Sequence, residues 1–380
     1  MIRKYSVTFV LPSPSIGYPP GGYNIVYQLA HYLNKSGIKT AIIFLVNASV
    51  FTSDLKLKIL RKVFHFLFSN RRIKMFYRLR LYKLLRVAYD YSILDNVDCF
   101  YYNSVKDVMI RTDLIIATAW ETAYTVNEIV NNLPSKPFYL VLHSEDDPSF
   151  SGINSTNAEK TYHFNFTKIV INRKVYERFK EEHPLFFHVG INTNFFMIKE
   201  EINKRENVIL LPLRKGESKG GKYAIECARK LLTCDAEFEI KIIMFGNYKV
   251  NEIPIDIRNK VEYYHSPTNK ILRKLYNKSS IFVLPSIVEG MSLPPLEAMA
   301  CGCAVIVTNN GGINEYIVND VNGLICPIRD SECLYSKVLF LLNNKLKMEE
   351  LINNGIETAK NFSYEQMNAN FLSLIKKQIK

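Results

Sequence analysis

The stretch that decides the fold runs Ile281-Phe-Val-Leu284-Pro-Ser286-Ile-Val-Glu289-Gly290-Met291-Ser292-Leu293-Pro294-Pro295-Leu-Glu297-Ala-Met-Ala-Cys301-Gly302-Cys303-Ala304-Val-Ile-Val307-Thr-Asn-Asn-Gly311-Gly312. Its opening apolar run, 281–284, reads as a strand. Pro294 and Pro295 suit the first turn of a helix, where a missing N–H costs nothing, and Gly302 ends that helix. A second apolar run, 304–307, follows at once. This order predicts an α/β unit with Glu289 in the loop at the carboxyl end of a strand, where open α/β sheets bind ligands, and with Glu297 near the amino end of the helix. The two carboxylates then face one pocket. Carboxylates accept paired hydrogen bonds from the vicinal hydroxyls of a ribose or hexose, and a helix amino end favours an adjacent diphosphate. Read singly, Glu297 is equally a complement to the helix dipole and Glu289 a solvated loop charge.

The same rhythm extends outward on both sides. Residues 208–212 read as a strand, residues 222–232 as a helix and residues 239–245 as the next strand. Between the first two lies Leu213-Arg214-Lys215-Gly216-Glu217-Ser218-Lys219-Gly220-Gly221, which carries Arg214 and Lys219 toward the same crevice. A guanidinium binds phosphate oxygens bidentately and an ammonium adds a mobile point charge, so the pair can take up leaving-group charge in place of a metal. Read alone, they are equally exposed cations on a turn. The N-terminal half opens with a strand at 5–11, a loop through Gly21-Gly22, a helix at 23–36 stopped by Gly37, and a strand at 40–46. Apolar runs at 114–117, 138–142 and 168–171 alternate with helical stretches, as a parallel sheet covered on both faces requires.

With 380 residues, of which 48% are hydrophobic and 22% charged, the chain is globular and too long for one core. The expected organisation is a domain at 1–190, a second at 191–363 and a helix at 364–380 packing back on the first, with the polar stretch 198–207 as linker. Seven cysteines, without ligand spacing or an even count, fit a reducing cytoplasm better than zinc or disulfides. Neither a cleavable leader nor a 20-residue apolar span is expected. The net charge of +13 implies an acidic partner: nucleotide phosphates, an anionic lipid surface or nucleic acid. Residues 55–89 hold eleven Lys and Arg and no Asp or Glu, interleaved with apolar residues. This basic amphipathic insert suits an anionic bilayer surface, or alternatively its own domain with a solvated basic face; no nucleic-acid-binding signature accompanies it.

Taken together, Arg214 and Lys219, the Glu289 to Glu297 spacing, Gly311-Gly312 with Glu315, Val321-Asn-Gly-Leu-Ile-Cys-Pro, and Gly190-Ile-Asn-Thr-Asn-Phe-Phe resemble the retaining family 4 glycosyltransferases of GT-B fold. The resemblance covers about 188–330; the first domain shares Gly21-Gly22 and the general alternation. It implies two Rossmann-like, doubly wound parallel-sheet domains facing a central cleft. It further implies that Glu297 holds the nucleotide ribose, Glu289 the transferred sugar, and Arg214 with Lys219 the diphosphate. Gly21 and Gly22 let backbone amides approach the phosphates, and Gly290, Met291, Ser292 and Leu293 line the donor. His143, otherwise an ordinary loop histidine, resembles a first-domain histidine near acceptor and donor sugar. Two positions depart from the pattern. Met291-Ser292 stands where an aromatic and a glycine are usual, and Leu213 replaces a glycine, which bears on donor choice. His143-Ser-Glu145-Asp146-Asp147-Pro-Ser-Phe resembles the rhamnosyltransferase branch.

The activity so implied is retaining, metal-independent transfer of a hexosyl or deoxyhexosyl group from a nucleotide-diphosphate donor to a glycan or lipid-linked acceptor. The setting implied is surface polysaccharide or glycoconjugate synthesis in the cytoplasm, at the inner membrane face if the insert binds lipid. No cofactor or metal is expected, since no D-x-D spacing occurs and Asp146-Asp147 read as turn caps. The alternatives are a nucleotide-sugar epimerase on the same fold and a membrane-associated, non-catalytic glycan-binding protein. A nicotinamide dehydrogenase fits less well, because Gly21-Gly22 is not G-x-G-x-x-G.

Overall fold

The computed structural model describes residues 4–12, 21–45, 91–102, 108 and 110–379. The basic insert 55–89 lies outside the described residues. The first sheet has seven parallel strands: β1 (Lys4–Leu11), β2 (Thr40–Leu45), β3 (Asp98–Tyr102), β4 (Arg111–Ala117), β5 (Lys136–Val141), β6 (Thr167–Val170) and β7 (Leu185–Phe186). Their order is β3-β2-β1-β4-β5-β6-β7, so the direction of winding reverses between β1 and β4. Helices α1 (Gly21–Lys35), α2 (Trp120–Val130), α3 (Ser155–Tyr162) and α4 (Arg173–Arg178) connect them. Gly21 and Gly22, expected in the loop, are instead the first two residues of α1. Asn172 caps α4 by accepting the Val175 N–H.

The second sheet repeats the plan with β8 (Val208–Leu213), β9 (Lys241–Gly246), β10 (Glu262–His265), β11 (Ile281–Leu284), β12 (Ala304–Thr308) and β13 (Leu324–Cys326), in the order β10-β9-β8-β11-β12-β13. Its helices include α5 (Gly221–Thr233), α6 (Asn269–Lys278), α7 (Leu293–Ala300), α8 (Ser331–Asn343) and α9 (Lys345–Lys360). Every residue of β8, β11 and β12 is buried, the continuous apolar run that a parallel sheet sandwiched by helices demands. β8 pairs with β9 along its whole length but with β11 only at Ile209 and Leu210. Pro212, which has no N–H to donate, sits beyond the end of that shorter ladder. The ladder between the two central strands therefore stops short of their carboxyl ends, at the switch point of the sheet.

Two chain crossings join the domains. The Ile191 N–H donates to the Phe362 carbonyl at 2.8 Å and the Tyr364 N–H to the Ile191 carbonyl at 2.8 Å. The final helix, α10 (Tyr364–Ile379), then lies against α1 and β4, with Phe371 packed on Phe9 and Phe187. The linker is less free than its polarity suggests: the Arg205 guanidinium donates to the carbonyls of Ser279, Cys301 and Gly302, fixing it to the ends of α6 and α7. All seven cysteines are free thiols, five of them buried. No helix among the described residues is long and apolar enough to cross a membrane.

At Gly190 an added Cβ would stand 2.4 Å from the Ser363 carbonyl oxygen and 2.7 Å from that of Phe362. The crossing has no room for it. Gly190→Ala should therefore cost about 1–3 kcal/mol, as overpacking does, and lower the urea midpoint; an unchanged midpoint would show that the two crossings do not hold each other.

Candidate functional site

The loops that follow β8 and β11 leave adjacent strands at the same edge of the second sheet, so whatever they carry must meet at the switch point. They carry Arg214, Lys219 and Glu289. The Glu289 carboxylate receives Arg214 Nη2 on Oε1 at 2.9 Å and Lys219 Nζ on Oε2 at 2.8 Å. Ser286 Oγ donates to the same Oε1 at 2.9 Å and lies 3.4 Å from Arg214 Nη2. Burial alone would raise the Glu289 carboxyl, but the two cations and Ser286 outweigh it and hold the group below the usual carboxylate range. Glu289 is thus a fixed anion between two cations that are themselves partly open to the cleft, with side chains 29% and 22% exposed.

Glu297 lies in the second turn of α7 and takes the opposite course. Burial, its largest influence, lifts it to about 7, opposed by the Tyr276 hydroxyl, which donates to Oε2 at 3.0 Å, and by the charge of Arg214. Arg214 therefore links the two carboxylates electrostatically, and the four groups expected to converge do so in the structure. Met291 and Ser292 are buried, the first in the apolar core and the second as the residue preceding α7, so their side chains face inward and only their backbone faces the loop.

The first domain reaches this loop through β5. An added Cβ on Gly290 would fall 1.9 Å from the Leu142 carbonyl oxygen and 2.9 Å from His143 Cβ, so only glycine permits the approach. Asn172 Nδ2 donates to the Gly290 carbonyl at 2.9 Å. His143 is thereby set beside Lys219 and Glu289. Burial and then Lys219 lower its imidazole to about 4, with Glu289 and a Ser144 backbone hydrogen bond opposing, so it is neutral under ordinary conditions. Gly22, at the start of α1, packs on the Leu142 side chain, which brings the amino end of that helix to the same corner; Gly21 has open space around its Cα. Gly311, with φ of +84°, begins the turn in which Gly312 lies against the backbone of Glu289 and Gly290.

Several further residues matter here. Ser286 orients both partners of the ion pair, and Tyr276 meets Glu297 from another helix. Glu315 accepts the Arg173 amide at 2.6 Å and His188 Nε2 at 2.9 Å, clamping the second domain to the first. Asp146 departs from the expected turn cap: its carboxylate pairs with Arg178, because α4 brings that cation against the loop. Among the described residues no three His, Cys, Asp or Glu side chains gather as metal ligands do.

Residues 192–358 match the family described as glycosyl transferases group 1. A glycosyltransferase of Methanocaldococcus jannaschii, uncharacterized, is 32% identical over 136 residues, a match spanning 35% of this chain and 38% of that protein. The N,N'-diacetylbacillosaminyl-diphospho-undecaprenol alpha-1,3-N-acetylgalactosaminyltransferase of Campylobacter jejuni is 24% identical over 266 residues, 60% of this chain and 69% of that one. The structure of Anabaena HepE in complex with UDP-glucose superposes with a TM-score of 0.70 at 15% identity, covering 98% of this chain and 100% of that one. That likeness establishes the GT-B fold.

Glu297 offers a test of the site in the free protein. A carboxyl whose folded pKa is raised costs stability as pH climbs from its ordinary value of 4.5 to about 7, and the cost persists above that. Glu297→Gln should therefore melt at the wild-type temperature below about pH 4.5 and above it beyond about pH 7, while losing nucleotide-induced stabilisation. A constant difference across the range would contradict the burial of an ionisable Glu297.

Proposed function

We propose that the chain, whose residues 192–358 match the glycosyl transferases group 1, is a glycosyltransferase that transfers a hexosyl or deoxyhexosyl group from a nucleotide-diphosphate donor to a glycan or lipid-linked acceptor, with retention and without a metal. The observation that carries this reading is the convergence of Arg214, Lys219, Glu289 and Glu297 at the switch point, opposite His143. Transfer to a lipid-linked glycan is supported by the undecaprenol-linked substrate in the name of the Campylobacter relative. A nucleotide-sugar donor is supported by the UDP-glucose bound to the Anabaena protein of the same fold.

In this scheme the donor diphosphate enters at the switch point between β8 and β11. Arg214 and Lys219 are already oriented by Glu289, so their remaining N–H groups bind phosphate oxygens without first being ordered. Glu297 accepts hydrogen bonds from ribose hydroxyls, and the loop at Glu289 and Gly290 holds the sugar. The anomeric C–O bond breaks with its electron pair leaving on the diphosphate, through an oxocarbenium-like state. The acceptor oxygen attacks from the same face, and its proton passes to the departing phosphate oxygen. Neutral His143 is a hydrogen-bonding partner for acceptor or sugar hydroxyls and adds no charge to compete with the developing cation. Contact between the domains excludes water that would hydrolyse the donor.

Removing either cation leaves the leaving group unneutralised. Arg214→Ala and Lys219→Ala should each lower kcat by about 10²-fold or more, the magnitude seen when one stabilising donor is lost, in a transfer assay run with EDTA. A melting-temperature screen with UDP, GDP, ADP and dTDP selects the nucleotide beforehand. Near-normal turnover in both variants, or transfer abolished by EDTA, would refute the scheme.

A further inference from the structure

Glu145 is a buried ionisable residue of the first domain that the scheme above does not use, and it lies two residues beyond His143. Its side chain is only 4% exposed, and it is tied to three different elements. The Tyr139 hydroxyl, from β5, donates to Oε2. The backbone amide of Trp120, at the start of α2, faces the same carboxyl and lowers its pKa. The Glu145 amide donates to the Tyr162 hydroxyl of α3 at 2.8 Å. The loop then folds on itself, Ser151 Oγ donating to the Glu145 carbonyl and the Ser151 N–H to the Asp147 carbonyl at 2.9 Å. Its far end, the turn Pro148–Ser151, packs against the turn Glu217–Lys219 of the second domain.

This loop touches the donor site twice. His143 stands at one end, beside Lys219 and Glu289, and the turn at the other end lies against the segment that presents Lys219. Between these points the Glu145 carboxyl fastens the loop to the sheet. We propose that Glu145 is a positioning residue for the transfer reaction, pinning residues 143–151 through Tyr139, Trp120 and Tyr162 so that His143 and the Glu217–Lys219 turn keep their places. The proposal rests on the cleft being the transfer centre.

The groups around Glu145 make this fastening sensitive to pH. Burial, the largest influence, raises its carboxyl to about 8; Glu121 of α2 and Asp146 of its own loop add to this, while Tyr139 and the Trp120 amide oppose it. Glu121 is itself raised by burial, and Tyr139 and Tyr162 are both pushed up, first by burial and then by Glu145. Arg178 of α4 lies over the Tyr162 ring at 4.7 Å, yet its charge is paired with Asp146. Near neutrality Glu145 is uncharged and the enclosure carries no buried charge. Above its pKa a desolvated anion would stand beside Glu121, and although Tyr139 still donates to it, the cost of burying that charge would loosen the loop.

Three measurements test the proposal: the pH profile of kcat, the donor KM, and histidine NMR of the ligand-free ¹⁵N-labelled protein, for wild type, Glu145→Gln and Glu145→Ala. Wild-type kcat should fall on the alkaline side with an inflection near about 8. Glu145→Gln, neutral at every pH, should keep the neutral-pH kcat and lose that inflection. Glu145→Ala should lose about 10²-fold in kcat, the scale of a misplaced reacting group, with little change in donor KM. The His143 resonance should move through the same alkaline inflection in wild type and stay fixed in Glu145→Gln. An identical alkaline limb in Glu145→Gln, wild-type kcat in Glu145→Ala, or a His143 resonance indifferent to both substitutions would overturn it. If Glu145→Ala does not fold, the Glu145→Gln profile decides. If the wild type transfers no sugar, the transferase reading fails, and the NMR titration still decides whether Glu145 positions His143.

Discussion

The structure depends on one partly buried ion triad, the Glu289 carboxylate gripped by Arg214 and Lys219. Taking a carboxylate out of water costs several kcal/mol unless its partners are close and well aimed. The partners come from the loop of a different strand, so the triad forms only if β8 and β11 are neighbours whose loops leave the sheet at the same edge. The strand order β10-β9-β8-β11-β12-β13 meets that condition, and the triad sits beyond the end of the β8 to β11 ladder. The triad also orders the two cations in the free protein. Electrostatic stabilisation is effective when such groups need not reorganise at the moment of reaction.

Backbone proximity fixes this site against the first domain. Gly290 lies so close to the Leu142 carbonyl that any side chain would collide, and Asn172 binds the Gly290 carbonyl while capping α4. Glu315 adds a third tie through His188 and the Arg173 amide. The loop that carries Glu289 is therefore held from both sides, by its own sheet and by the end of β5. His143 follows directly from that strand end, so the distance between the first-domain histidine and the second-domain cations is set by backbone packing more than by side-chain choice.

Reading the chain as a sequence recovers what is contiguous and loses what is assembled. Glu289, Glu297, Arg214 and Lys219 were legible because each lies at a fixed offset from an apolar run, and topology then brings neighbouring loops together. That both cations bind Glu289 was not legible, since charge pairing between loops 70 and 75 residues apart leaves no local pattern. Tyr276 was hidden for the same reason: on α6 it reads as an apolar-face residue, and only the packing of α6 against α7 aims its hydroxyl at Glu297. The short strands β3, β7, β10 and β13 gave no extended apolar run. The Asp146 to Arg178 pair shows the reverse error, in which a plausible local role yields to a partner supplied by tertiary contact.

Glu289 and Glu297 stand eight positions apart, and the fold drives their protonation in opposite directions. Both are desolvated; what separates them is the partner set. Glu289 has two cations and a serine hydroxyl, and it stays ionised at the expense of free charge on those cations. Glu297 has one phenol and the more distant field of Arg214, which leaves it near about 7 and short of hydrogen-bond donors. A carboxyl in that condition gains from a ligand that brings hydroxyls, whereas a carboxylate in the condition of Glu289 has little left to gain. Opposed shifts in neighbouring acids mark separate roles. Here the division falls between an acid that holds Arg214 and Lys219 in place and an acid whose hydrogen-bonding capacity is largely unused.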